Sequence, residues 1–202
     1  MSVMDRTNFV RLVPTGKWSV DASRSSVTFA VKHMVLATVR GSFREFEGTL
    51  EMGAGDPRAT GVINAASIFT NEAVRDKHLR ESSDFFDIEH YPEIGFSSTQ
   101  IIDLDGGGFR ILGDLTMRGL TREIALDEQA NGTRQVGEDD ERIELDLRGE
   151  LNRRDFGLTW NQREKGGLLL GEKVAIALQI SAVKSKAARP GRPASIGGRS
   201  ST

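Results

Sequence analysis

The chain has 202 residues, 38% of them hydrophobic and 28% charged, and a formal net charge of −2, the balance of an ordinary globular protein. It has no cysteine, which excludes a disulfide framework and a Cys-based zinc site. Lys184, Lys186, Arg189, Arg192 and Arg199 put +5 on an acid-free tail and leave −7 on the rest, a poor match for a nucleic-acid backbone.

Residues 1–14 read as a flexible lead-in ending at Pro14. They hold no basic segment followed by a long apolar run, so no secretory signal is expected and a cytoplasmic location is the expectation. No apolar run approaches the ~18 residues of a transmembrane helix.

The first clear element is residues 25–32, where Val27, Phe29 and Val31 share one face while Ser26, Thr28 and Lys32 share the other. Period two of this kind marks a half-buried strand. Further strands are expected at 38–51 and 58–69, joined through residues 52–57.

The alternation breaks from Thr70 to Tyr91. Thr70 or Asn71 is the expected cap of a short helix with Glu72 in its first turn, so one or two short helices are placed around residues 71–90. Strands resume at 93–104 and across Ile111, Gly113, Leu115 and Met117, with a hairpin expected at Asp105–Gly108. A short turn across Met117-Arg118-Gly119-Leu120-Thr121 leads to a strand at 121–135, with a turn or bulge at Asn131-Gly132. Ile143, Leu145 and Leu147 alternate with acids and Arg148, and Val174, Ile176, Leu178 and Ile180 repeat the pattern. The segment 184–202 is rich in Pro, Gly, Ser and Arg and reads as a disordered basic tail, a solubilising extension or a weak contact to an anionic membrane surface.

Some eight long antiparallel strands fit a sandwich or a closed barrel. Closure removes the long edges that such strands leave in an open sheet. Catalytic motifs are missing. No HExxH or GxSxG occurs, and the Gly106–Gly108 run lacks the ending of a phosphate loop. Asp139-Asp140-Glu141 reads as a solvated charge run. Three readings stay open for the residues around His33 and His78. Arg75, Asp76 and His78 fasten the helix by hydrogen bonds; His33 or His78 faces a ligand head group; or His33, His78 and Asp76 assemble a metal site across strands.

Several motifs in one order resemble the YceI-like proteins. They are Trp18-Ser19-Val20-Asp21, Ser25 to Met34, Val39-Arg40-Gly41-Ser42-Phe43 and Phe46-Glu47-Gly48. The most specific is Arg75-Asp76-Lys77-His78-Leu79-Arg80, followed by Asp84-Phe85-Phe86-Asp87 and Tyr91-Pro92. Gly113 to Gly119 and Asp155-Phe156-Gly157 complete the set, so that the resemblance runs from about Gly16 to Ala182. Glu81-Ser82-Ser83 is one residue longer than usual, so the loop near the tunnel mouth is expected to differ.

The resemblance implies an all-β fold, an eight-stranded antiparallel lipocalin-like barrel filling residues 15–183. It implies non-enzymatic binding, carriage or storage of a polyisoprenoid, an isoprenoid quinone or another long-chain lipid in the lumen, with no cofactor and with a homodimer as a possible assembly. The alternative is a hydrolase or isomerase acting on a bound amphiphile through His33 or His78. Many relatives are exported, so the cell envelope stands as the alternative location. On the apolar parity of each strand, the expected tunnel lining is Phe29, Val31, Phe43, Ile94 and Phe96, with Leu115, Met117 and Leu145. His33, Met34, His78 and Trp160 are the candidates for its mouths. Phe85 and Phe86 are expected to anchor the helix.

Overall fold

The computed structural model describes residues 13–33, 37–53, 55–104, 108–128, 134–136, 142–161, 163–164, 167–168 and 170–185. Met34, most of the lead-in, Asp105–Gly107, Asn131-Gly132, Asp139–Glu141 and the tail after Ser185 lie outside them.

The chain begins with β1 (Gly16–Val20), a 3-10 turn at Ala22–Arg24, and β2 (Ser26–His33). Asp21 makes the turn by accepting from the Ser23 amide and hydroxyl. Both strands run antiparallel to the last strand, β14 (Leu170–Lys184), so together they form one bent stave of the wall. The next two staves bend likewise: β3 (Ala37–Phe43) continues into β4 (Phe46–Met52), and β5 (Arg58–Asn64) into β6 (Ile68–Phe69). After helix α1 (Ala73–Glu81) the wall resumes as β7 (Glu93–Asp103), β8 (Phe109–Met117) and β9 (Leu120–Glu128). A short β10 (Arg134–Val136) borders β11 (Arg142–Asn152), and the minor hairpin β12 (Arg163–Glu164) and β13 (Gly167–Leu168) precedes β14.

Neighbours along the chain are neighbours in the wall, and β11 pairs with β14 over Arg142–Asn152, which joins the two ends of the sheet. The result is an eight-stranded antiparallel up-and-down barrel of the lipocalin-like kind with one helical insertion.

The turn between β8 and β9 needs only Arg118 and Gly119, at φ 52° and 70°, with Met117 opposite Leu120. Two successive positive φ values match the right-handed twist of a tight hairpin, and glycine takes one of them without strain.

One expectation about the helix is corrected. Its N-cap is Glu72, whose carboxylate accepts from the amides of Val74 and Arg75 at 3.0 and 2.6 Å. Asn71 stands at φ 62° and Thr70 is committed elsewhere. The amide and hydroxyl of Thr70 both donate to buried Asp76, at 2.8 and 2.5 Å. Arg75 donates to the Thr70 hydroxyl and carbonyl at 2.7 and 2.8 Å. These bonds latch the helix across one end of the barrel.

Candidate functional site

Residues of the inner wall alternate along each strand with residues facing out. In β8 the buried set is Phe109, Ile111, Gly113, Leu115 and Met117, and in β11 it includes Ile143, Leu145 and Leu147. The far end of this inner face is plugged. Trp18, Phe109 and Ile143 are each 0% exposed, and Val13 and Met52 are buried with them. Trp18 is fixed there by donating its indole N–H to the Pro14 carbonyl at 3.0 Å.

Above this floor lies a cavity of about 550 Å³. That volume falls within the ~300–1,000 Å³ of small-molecule sites. Its lining is almost wholly apolar. Phe29, Phe96, Ile176, Leu178 and Ile180 border it and are only half-buried, although they point into the barrel. Two features keep the space open. Gly48 and Gly61 face each other across β4 and β5, and this stretch of wall carries no side chain. Elsewhere, the rings of Phe29 and Phe96 lie against Gly41 and Gly113.

Phe29, Val31, His33, Phe43, His78 and Ile94 all border this cavity, as do Phe96, Leu115, Met117, Leu145 and Trp160. Met34 lies outside the described residues. Val39, Phe46, Ile124, Leu126 and Leu147 also line it and were not singled out from the sequence, although their strands carry the same period-two signal.

The mouth is at the helix end. The His78 ring stands edge-on to Phe85 and Trp160, at centroid separations of 5.3 and 5.9 Å, and Phe85 lies 5.4 Å from Trp160. This corrects the reading of His78 as a hydrogen-bonded fastener: its imidazole sits in an aromatic cluster, and the fastening falls to Arg75, Asp76 and Arg80. Phe85 forms part of the mouth, with Val31 and Leu170. Phe86 does anchor the segment, meeting Phe43 edge-to-face at 5.7 Å.

One site residue was missed altogether. Arg153, on the short 3-10 turn Arg153–Phe156, is 2% exposed and borders the cavity. It donates to the Gly171 carbonyl at 2.8 Å, to the Leu170 carbonyl at 3.3 Å and to the Leu158 carbonyl. Burial lowers its pKa from the usual arginine value; the adjacent Arg154 acts in the same direction and Glu172 opposes them.

Among the described residues no three His, Cys, Asp or Glu side chains converge as a metal site, and Asp76 is turned to Thr70. Among them too, the one imidazole hydrogen bond joins His90 to Asp87, on the outer surface, so neither His33 nor His78 is paired with a serine or an acid as nucleophilic catalysis requires. Chemically, the arrangement is a container with a polar-edged mouth.

The profile of the YceI-like domain matches residues 18–182. The chain belongs to the YceI-like family. A UPF0312 protein of Staphylococcus aureus (strain N315) is 32% identical over 162 residues, covering 78% of this chain and 91% of its own length. Among solved structures, BcnA of Burkholderia cenocepacia superposes with a TM-score of 0.69 at 20% identity, over 81% of this chain and 99% of that one. The structure described as a polyisoprenoid binding domain from Saccharophagus degradans gives 0.64 at 15% identity, over 83% and 98%. The YceI protein of Campylobacter jejuni gives 0.63 at 24%, over 77% and 90%. These structures share the fold of this YceI-like barrel.

Proposed function

We propose that this YceI-like protein binds and carries a long-chain lipid, polyisoprenoid in type, in the lumen of its barrel, without transforming it. The observation that carries this reading is the apolar cavity closed at the Trp18 end and open at the helix end. The description of the Saccharophagus degradans relative as a polyisoprenoid binding domain supports the choice of ligand class.

The energetics suit such a cargo. Each buried methylene contributes about 0.8 kcal/mol. A chain of isoprene units therefore approaches the practical affinity ceiling of roughly −18 to −21 kcal/mol before ordering costs. One methylene more or less discriminates by only about 1–3 kcal/mol, so the lumen selects by length and shape rather than by fine structure.

Native mass spectrometry of the purified full-length protein, followed by organic extraction, tests the proposal. A bound mass that extracts as a polyprenyl, quinone or fatty-acyl compound is the expected result. An unliganded mass that persists after incubation with long isoprenoids refutes it.

A further inference from the structure

We infer that the mouth of the lumen selects amphiphiles whose polar end is an oxyanion, a carboxylate or a phosphate ester, held beside Arg153 with His33, His78 and Trp160 around it. The inference rests on the reading of the cavity as a lipid site and specifies the chemistry of the cargo's polar end.

Arg153 is the decisive residue. Side chains of this type are almost never fully buried without a counter-charge. Its three acceptors among the described residues are all backbone carbonyls, which satisfy hydrogen bonds and carry no counter-charge. Among the described residues no carboxylate reaches it: Glu172 is held by Arg154 at 2.8 Å. A guanidinium has five N–H groups, one on Nε and two on each terminal nitrogen. Among the described residues each nitrogen makes one bond, so a donor remains on both terminal nitrogens. The protein thus places a cation with unused donors at the wall of an otherwise apolar chamber.

The rest of the mouth is biased in the same direction. Trp160 borders the cavity and its indole N–H can only donate. His33 and His78 border it with ring nitrogens that no described group engages, and each imidazole offers a donor in either tautomer. Among the described residues the acid at the mouth that lines the cavity is Glu72, whose carboxylate accepts from two amides of the first turn of α1. Asp84 stands on the rim, exposed, and accepts from the Thr159 hydroxyl at 3.4 Å. An ammonium head meets the like charge of Arg153 and finds its acceptors only in imidazole nitrogens and in carboxylates already engaged by Val74, Arg75 and Thr159. An alcohol accepts hydrogen bonds but brings no charge. An oxyanion accepts the same bonds with both partners charged and supplies the counter-charge that Arg153 lacks.

A chain-matched series separates these cases. Hexadecanoate, hexadecyl phosphate, hexadecanol and hexadecylamine are titrated, below their micelle concentrations, against the full-length protein loaded with the neutral reporter N-phenyl-naphthylamine. At neutral pH the two oxyanions are expected to displace the reporter at concentrations about tenfold or more below hexadecanol, the factor expected of one charge-assisted hydrogen bond, with the amine weakest. The order of the two oxyanions then tells carboxylate from phosphate. Equal affinity of acid and alcohol overturns the inference and leaves the carrier reading standing. A protein that binds neither the reporter nor any of the four overturns both.

Arg153→Met is expected to abolish the acid-over-alcohol ratio. Because Arg153 also ties residues 158, 170 and 171 together, that ratio and not the absolute affinity is read, with thermal unfolding followed alongside. His78→Leu lies outside that cage of carbonyls and is expected to narrow the ratio by weakening the two oxyanions more than hexadecanol. An undiminished ratio in both variants also refutes the assignment.

Discussion

The ring of Phe96 lies across Gly113 on the inner wall, so close that a β-carbon at position 113 would stand 2.6 Å from its Cε2 and 2.7 Å from the Ser97 carbonyl oxygen. Phe29 and Gly41, directly paired between β2 and β3, repeat the device, with a β-carbon at 41 falling 2.8 Å from the Phe29 Cε1 and 2.9 Å from the Thr70 Cγ2. Each glycine gives an aromatic ring a place against the wall and keeps it out of the lumen.

Gly113→Ala should therefore push Phe96 toward the barrel axis. The expected cost is about 1–3 kcal/mol of stability, the range for overpacking a well-fitted site. Long-chain ligands should lose affinity more than short ones, because the obstruction lies partway along the cavity. Urea unfolding and a chain-length binding series check both effects. Unchanged binding of the longest chains would show that Phe96 finds another way to lie against the wall.

The latch beneath the mouth gives a second test. Asp76 accepts both polar hydrogens of Thr70, and Arg75 bonds the same residue from the other side. Asp76→Ala leaves buried donors without an acceptor, each costing about 1–3 kcal/mol. A loss of about 3 kcal/mol is expected, with faster amide exchange concentrated in Ala73–Glu81. Global exchange with no local excess would mean that the latch holds the whole barrel and not the helix.

How much of this was legible beforehand depends on what each signal measures. Period two in Phe109–Met117 and Arg142–Asn152 was readable because one face meets an apolar interior and the other meets water. A short turn between Met117 and Thr121 was readable because Gly119 marks a positive φ. Alternation says which side faces in, however, and is silent on whether the inside is filled. That is decided by eight strands closing and by glycines at 41, 48, 61 and 113 standing where bulky residues would meet. The bends that break the first staves were hidden, since Asp21, Ser23 and Ser25 look like any polar turn. Arg153 was hidden too, because Asn152-Arg153-Arg154-Asp155 reads as a solvated charge run. Only the return of residues 158 and 170–171 in space buries one of its two arginines. Of the readings open for His78, the hydrogen-bonded fastener fails, and its contact with Trp160 was hidden because the two residues lie far apart along the chain.

Acid should weaken the closing seam of the barrel. The Asp21 carboxyl is held below its ordinary value of 3.8 by the Ser23 hydroxyl first and then by Arg142, reaching across from β11 at 3.0 Å. Asp127 is lowered chiefly by its hydrogen bonds from Arg110, at 2.5 and 2.8 Å. A carboxyl whose folded pKa is depressed stabilises the fold above its unfolded pKa, and that contribution fades as pH falls through the folded value. Both contributions should be complete at neutral pH and decline below about pH 4. His90 runs the other way: Asp87 raises its pKa, so its small exposed contribution is present below about 6.5 and is lost as pH rises. Thermal unfolding from neutral to acid pH should show a shallower decline in Asp21→Asn and Asp127→Asn than in the parent. Parallel curves for all three would assign the acid sensitivity to other carboxylates.

The two tryptophans offer an internal control for occupancy of the lumen. Trp18 is fully buried in the floor, with its indole N–H bound to the Pro14 carbonyl and its ring near the Lys184 ammonium. Trp160 borders the cavity at the mouth, 5.4 Å from Phe85 and 5.9 Å from His78 between ring centroids. Because the environment of Trp18 is already dry and fully packed, a ligand entering the lumen changes it little. The same ligand displaces solvent from the face of Trp160. Addition of a long-chain lipid should therefore shift the emission of the parent protein and of Trp18→Phe to shorter wavelength, and leave that of Trp160→Phe nearly unmoved. Trp18→Phe should in addition be less stable, by about 1–3 kcal/mol, because a smaller ring leaves a gap in a close-packed floor and the part-buried Pro14 carbonyl loses its donor. A ligand response that disappears with Trp18 and survives without Trp160 would place entry at the opposite end of the barrel.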